Sequence, residues 1–133
     1  MKKILIVDDS SAWIEFHKNY ISELFIELSE NYTLDTAFSA LEGYDFLLKN
    51  NENPYDLIIT DMQMEENFSP KYAGEWFIEQ IKTFKNFYKT KIIICSGTYN
   101  IKQIAELYGV DYIPKRLAVN DVNEYKERLK GKL

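Results

Sequence analysis

Short, wholly apolar runs alternate along this chain with longer runs that are apolar on one side only. Ile4 to Val7, in "KILIVD", is apolar without a break, which predicts a strand buried on both faces. The same pattern recurs in "DLIIT" (56–60) and "KIIIC" (91–95). It is weaker in "YTLDTAF" (32–38) and short in "DYIP" (111–114).

Between these runs the period becomes that of a helix. In "SSAWIEFHKNYISELFIELSE" the residues Ile14, His17, Ile21, Leu24 and Leu28 share one stripe, widened by Trp13, Tyr20 and Phe25, with Ser10 or Ser11 able to cap its start. "SALEGYDFLLKN" predicts a second helix, with Ser39 as N-cap and Glu42 three residues on, a capping-box spacing. "AGEWFIEQIKTFKNF" predicts a third, with Trp76, Phe77, Ile81 and Phe84 apolar. "IKQIAELYG" predicts a short fourth ended by Gly109, and "NDVNEYKERLKGKL" a last one capped by Asn120 or Asp121. "NNENP", "DMQMEENFSPKY" and "SGTYN" read as connections.

Strands alternating with helices imply parallel pairing and right-handed crossovers. Five such units suit an α/β, flavodoxin-like, doubly wound sheet of five parallel strands in the order 2-1-3-4-5, and are too few for an eightfold barrel. With 133 residues and no repeat or linker, the expectation is a single domain over 1–133.

Charge narrows the partners. The formal net charge is −5, which speaks against nucleic acid and against an anionic membrane surface; "PKR" (114–116) is the one basic spot near a strand end. Cys95 is alone and closes an apolar run, so it reads as buried packing in a reducing, cytoplasmic setting. The apolar run at the N-terminus is too short for a signal peptide or a membrane span. No glycine-rich phosphate loop, paired-cysteine spacing or Gly-x-Ser-x-Gly elbow is present.

The chemistry gathers at the strand ends. The first strand ends in Asp8-Asp9, the third in Asp61, the fourth in Ser96 and the fifth near Lys115. In an open parallel sheet these carboxyl ends form one edge, where ligands bind. Singly, each is an ordinary cap or surface residue. Together they put three carboxylates, a hydroxyl and an ammonium in one cleft. Three clustered carboxylates repel, so at least one pKa rises unless a cation joins them. Mg²⁺ takes oxygen ligands and leaves positions open for a phosphate oxygen. Lys115 and Ser96 then bind the remaining phosphate oxygens, and Asp61 becomes a nucleophile of the aspartyl-phosphate type.

This ordered set resembles the receiver domain of two-component response regulators over essentially the whole chain. The resemblance implies that Asp61 is the phosphoacceptor, that Asp9 binds Mg²⁺ directly and Asp8 mostly through water, and that the backbone carbonyl of Gln63 completes the protein ligands. It implies a histidine kinase or histidine phosphotransfer protein as donor, with small donors such as acetyl phosphate usable in vitro. Ser96 and Tyr112, three residues before Lys115, stand at the switch positions. Gly74 matches the glycine that opens the third helix. Gln63 stands where members tune hydrolysis of the phosphoaspartate; His17, on an apolar stripe, reads as a core histidine and not as a general base.

The chain departs from the family pattern in three places. Arg116 follows Lys115 where a cis proline is usual, and a cis bond before Arg116 would cost about 2.5–4 kcal/mol, so that loop should be built differently. Glu65 replaces a proline after the acceptor, and the segment to Tyr72 is long and acidic. The stretch from Ser96 to Lys115 is short, which predicts a stunted fourth helix. The expected function is that of a stand-alone receiver that accepts phosphoryl on Asp61, removes it again, and alters its affinity for an output protein. Members often dimerise through the fourth helix, fifth strand and fifth helix, so a homodimer is also an expectation. Two rivals set the tests: a degenerate receiver used only for docking, and a small Mg²⁺-dependent phosphohydrolase. The second lacks the acid such enzymes carry two residues after the nucleophile, where Gln63 stands. A part of a longer protein would give the same reading.

Overall fold

The computed structural model describes residues 1–133. Strands β1 (Lys2–Val7), β2 (Tyr32–Ala37), β3 (Leu57–Thr60), β4 (Lys91–Ser96) and β5 (Asp111–Pro114) form one parallel sheet in the order β2-β1-β3-β4-β5. Helices α1 (Ser11–Leu28), α2 (Ala40–Lys49), α3 (Ala73–Thr83), α4 (Ile101–Tyr108), α5 (Lys115–Asn120) and α6 (Val122–Lys130) cover it, with 3₁₀ turns at Glu66–Phe68 and Lys85–Phe87. The doubly wound architecture read from the apolar pattern is the observed one.

The unbroken apolar strands divide their side chains between two cores. Leu5, Val7, Ile58, Ile92 and Ile94 face α2, α3 and α4, and pack on Leu47, Phe77, Ile78, Ile81 and Ile104. Ile4, Ile6, Leu57, Ile59, Ile93 and Ile113 face the other way, onto Ile14, Ile21, Leu24 and Phe25 of α1 and Tyr125 and Leu129 of α6. Each fully buried aliphatic side chain contributes about 1.5–3 kcal/mol, so both layers are needed to hold the sheet. His17 and Cys95 are buried in the second layer, as expected.

Local signals place the helix ends. Ser10 caps α1 by accepting from Trp13 N–H, and Ser39 caps α2 by accepting from Glu42 N–H. Gly109 ends α4 at a φ of +66°, the left-handed conformation that suits glycine. The fourth helix is short, at eight residues.

Two boundaries differ from the expectation. The last predicted helix is α6, capped by Asp121, and a separate helix α5 precedes it, starting directly from β5 at Lys115. The third helix stops at Thr83; Phe84 leaves the helical conformation and the chain continues as a 3₁₀ turn that buries Phe87.

The register of the sheet aligns the strand ends. Val7 pairs with Thr60, Thr60 with Ile94, and Ser96 with Pro114. The residues that follow β1, β3, β4 and β5 therefore emerge along one edge of the sheet.

Candidate phosphoacceptor site

Asp61 continues the ladder beyond β3, its N–H bonded to Val7 C=O at 2.9 Å, and its side chain is buried. One carboxylate oxygen, Oδ1, accepts from Met62 N–H at 2.7 Å. The other, Oδ2, accepts from Lys115 Nζ at 2.9 Å. Asp8 is buried after β1, and its Oδ1 accepts from Ser10 N–H at 2.9 Å. Lys115 Nζ also lies 3.0 Å from Asp8 Oδ2, so one ammonium bridges two buried carboxylates. Asp8 Oδ2 has no partner besides that ammonium. Asp9 is exposed, yet one oxygen from each of Asp8, Asp9 and Asp61 lies within 4.8 Å of the others.

The electrostatics follow from this crowding. Burial and then repulsion from Asp61 raise the Asp8 pKa, against the opposing effects of Ser10 N–H and Lys115. Burial alone would lower the Lys115 pKa; Asp61 and Asp8 outweigh it and hold the ammonium above its ordinary value. The rise expected for clustered acids thus falls on Asp8. Three carboxylates whose oxygens approach one another, with a single ammonium between two of them, are an all-oxygen donor set that fits a hard divalent cation such as Mg²⁺.

Ser96 is buried at the end of β4, but its hydroxyl is turned to Thr98. Ser96 Oγ accepts from Thr98 N–H at 3.1 Å and shares a hydrogen bond with Thr98 Oγ1 at 2.8 Å. It makes no hydrogen bond to Asp61 or Lys115. Tyr112 is half-buried in β5 and packs on the core beneath α4. Gln63 is exposed and, with Asp9, Met64, Glu65, Glu66 and Tyr72, lines an open cleft of about 460 Å³ beside the acids. Gly74 N–H bonds to Met62 C=O at 3.0 Å and brings α3 against the end of β3.

Three contacts were not foreseen. The Trp13 ring stands 4.9 Å from Lys115 Nζ and covers the ammonium from the α1 side. Glu65, which lines the cleft, reaches α2, accepting from Ala40 N–H at 2.8 Å and Leu41 N–H at 3.0 Å. Thr98 holds the Ser96 hydroxyl. The aromatic stripe of α1 included Trp13, but nothing in the sequence paired it with residue 115. The anomaly at Lys115-Arg116 is resolved without a cis bond there, since Ser69–Pro70 is the only cis peptide. Lys115 is instead the first residue of α5.

Residues 4–126 match the family described as the response regulator receiver domain. The chain belongs to that family. Among solved structures it is similar to the signal receiver domain of a DNA-binding response regulator protein (merR) from Colwellia psychrerythraea 34H, with a TM-score of 0.76 and 16% identity over 98% of this chain and 97% of that one. It is also similar to the non-phosphorylated HemR receiver domain from Leptospira biflexa (TM-score 0.73, 18% identity, 99% and 94% covered). A third is a signal receiver domain of two-component signal transduction (histidine kinase) from Clostridium thermocellum (TM-score 0.66, 17% identity, 98% and 93% covered). No curated protein matches the chain in sequence. At these identities the structures establish the fold, and the family match establishes a receiver domain of two-component signalling.

Proposed function

We propose that this chain is a Mg²⁺-dependent phosphoacceptor that takes a phosphoryl group from a phosphohistidine donor onto Asp61 and thereby changes its affinity for a partner protein. The observation that carries this reading is the bridge of Lys115 between Asp61 and Asp8, beside the carboxylate of Asp9. Asp8, Asp9 and Asp61, with the backbone carbonyl of Gln63, would hold the ion. Bound there, it supplies charge neutralisation for the phosphoryl oxygens.

The remaining chemistry belongs to the chain itself. A carboxylate oxygen of Asp61 forms the new O–P bond as the P–N bond of the donor breaks, and the imidazole leaves with the electron pair. With acetyl phosphate the broken bond is P–O and acetate leaves. Lys115, already on Asp61 Oδ2, stays with the charge as it moves onto phosphoryl oxygens. Ser96 donates to one of those oxygens; its hydroxyl is hydrogen-bonded to Thr98 Oγ1, with either oxygen able to be the donor, which couples the site to the loop before α4. Displacement of Ser96 and Tyr112 then shifts the population of the surface formed by α4, β5 and α6. No side chain at the site is a free general base, and loss of the phosphoryl group proceeds through water positioned near Gln63.

The test is intact-mass spectrometry after incubation with acetyl phosphate and Mg²⁺. A single phosphoryl adduct is expected, absent in Asp61→Asn and absent without the metal. If neither acetyl phosphate nor a phosphohistidine donor protein gives an adduct, and beryllofluoride leaves the protein's spectrum unchanged, the chain is a docking module.

A further inference from the structure

The segment after the acceptor is not a loose loop. Its aromatic residue Phe68 stacks on Trp76 of α3, with centroids 4.5 Å apart and planes at 16°. Its last residue, Tyr72, donates its N–H to Glu75 of α3 at 2.9 Å. At the near end Met64 packs on the core, and Glu65, two residues after Gln63, places its two carboxylate oxygens on the first two free N–H groups of α2. Those groups lack intrahelical partners, and a carboxylate there also meets the positive end of the helix dipole. Helix α2 already has a side-chain cap in Ser39, so the contact of Glu65 is additional for the helix. For the loop it is the one side-chain hydrogen-bonded tie between Asp61 and the 3₁₀ turn at Glu66. Asp9, Gln63 and Glu65 line the same cleft.

We infer that Glu65 is a positioning residue for the cation site: by clamping the loop to α2 it fixes the backbone of Gln63 opposite Asp9. The inference rests on the Mg²⁺ reading above. Glu65 is not a ligand in this account, because both its oxygens are committed to α2. Groups that orient metal ligands typically change affinity by about 10–100-fold when removed.

The experiment is a calorimetric Mg²⁺ titration of the whole chain, with thermal melts alongside. Glu65→Ala should bind Mg²⁺ about tenfold more weakly, with the lower end of the range expected because an open loop can still visit the productive position. Glu65→Gln, which keeps one acceptor oxygen for α2, should recover part of that loss. Two controls separate positioning from simpler effects. Ser39→Ala removes a cap of the same helix without touching the loop, and Glu66→Gln removes an acid from the same cleft without touching α2. Both should bind Mg²⁺ as the unaltered protein does. Affinity of Glu65→Ala within twofold of the parent overturns the inference, as does an equal loss in Ser39→Ala or Glu66→Gln. If Glu65→Ala melts too low to titrate, Glu65→Gln decides alone: parent-like affinity refutes the clamp, weakened affinity with parent-like Ser39→Ala and Glu66→Gln supports it. No Mg²⁺ binding by the parent protein removes the metal reading, and the clamp with it.

Discussion

At the scale of single residues, the site is a set of competing hydrogen bonds. Lys115 has two carboxylate partners and an aromatic cover, so its position is over-determined without a following proline. Ser96 has the opposite character. Its oxygen accepts from Thr98 N–H, and its hydroxyl shares a hydrogen bond with Thr98 Oγ1; where Ser96 is the donor of that bond, a phosphoryl oxygen has to displace it. A neutral hydrogen bond of this kind contributes about 0.5–1.5 kcal/mol net. Thr98→Val removes the rival hydroxyl while keeping the buried volume, and leaves the backbone N–H contact to Ser96 in place. Beryllofluoride, a stand-in for the phosphoryl group, should therefore bind Thr98→Val with Mg²⁺ up to about tenfold more tightly, measured by titration against the parent. Weaker binding would mean that Thr98 presents Ser96 to the phosphoryl group and does not withhold it.

At the scale of elements, the critical approach is that of α3 to the end of β3. A Cβ on Gly74 would lie 2.1 Å from Asp61 C=O and 2.7 Å from Met62 Cα, both backbone atoms that cannot swing aside. Gly74→Ala must push α3 away or displace Asp61. It should cost about 1–3 kcal/mol in urea unfolding, as overpacking does, and slow adduct formation from acetyl phosphate. Unchanged phosphorylation with lowered stability would show that α3 gives way and Asp61 does not. Gly74 was legible only through the family resemblance; the close approach that requires a glycine there comes from the fold. The strands were legible because burial on both faces leaves an unbroken apolar run. The strand ends then identified Asp8, Asp9, Asp61, Ser96 and Lys115, three of which meet in direct contact. Helix α5 was missed because Pro114-Lys115 offers no side-chain cap and its six residues bury only Ala118. Glu65, Trp13 and Thr98 were missed for a different reason. Their partners lie on other elements or are set by a loop conformation, and no local period encodes such a pairing. Glu65 shows the difference: the sequence marked it as an oddity, but only the fold supplies the N–H groups of α2 that it holds.

At the scale of the whole molecule, the layer formed by α1, α5 and α6 carries a buried titratable group that links stability to pH. His17 is 1% exposed, and its Nδ1 lies 2.6 Å from the Tyr125 hydroxyl of α6. Trp13 and Phe16 of α1 lie against its ring, and Lys115 of α5 is the nearby charge. Burial first, and then the Lys115 charge, lower its pKa from 6.5 to about 3. The native state therefore holds a neutral imidazole where the unfolded chain would bind a proton. Its contribution is fully present above pH 6.5 and is lost as pH falls from 6.5 toward 3, at about 1.4 kcal/mol per pH unit. Asp8 acts with the opposite sign. Its native pKa is raised above 3.8, so its contribution to stability is present at low pH and is lost as pH rises through the carboxylate range. The two windows overlap below pH 6.5, but Asp8 is present in both the parent protein and His17→Gln, so its effect cancels in the difference between them. Between pH 7.0 and 5.5 the parent protein should thus lose about 1 kcal/mol that His17→Gln does not lose, read from urea unfolding at both values. The comparison uses the change with pH and not the absolute stability, so any packing cost of the substitution cancels. Parallel pH profiles for the two proteins would mean that the His17–Tyr125 pair opens enough in the native state to accept the proton, and that the α1–α6 layer is looser than its burial indicates.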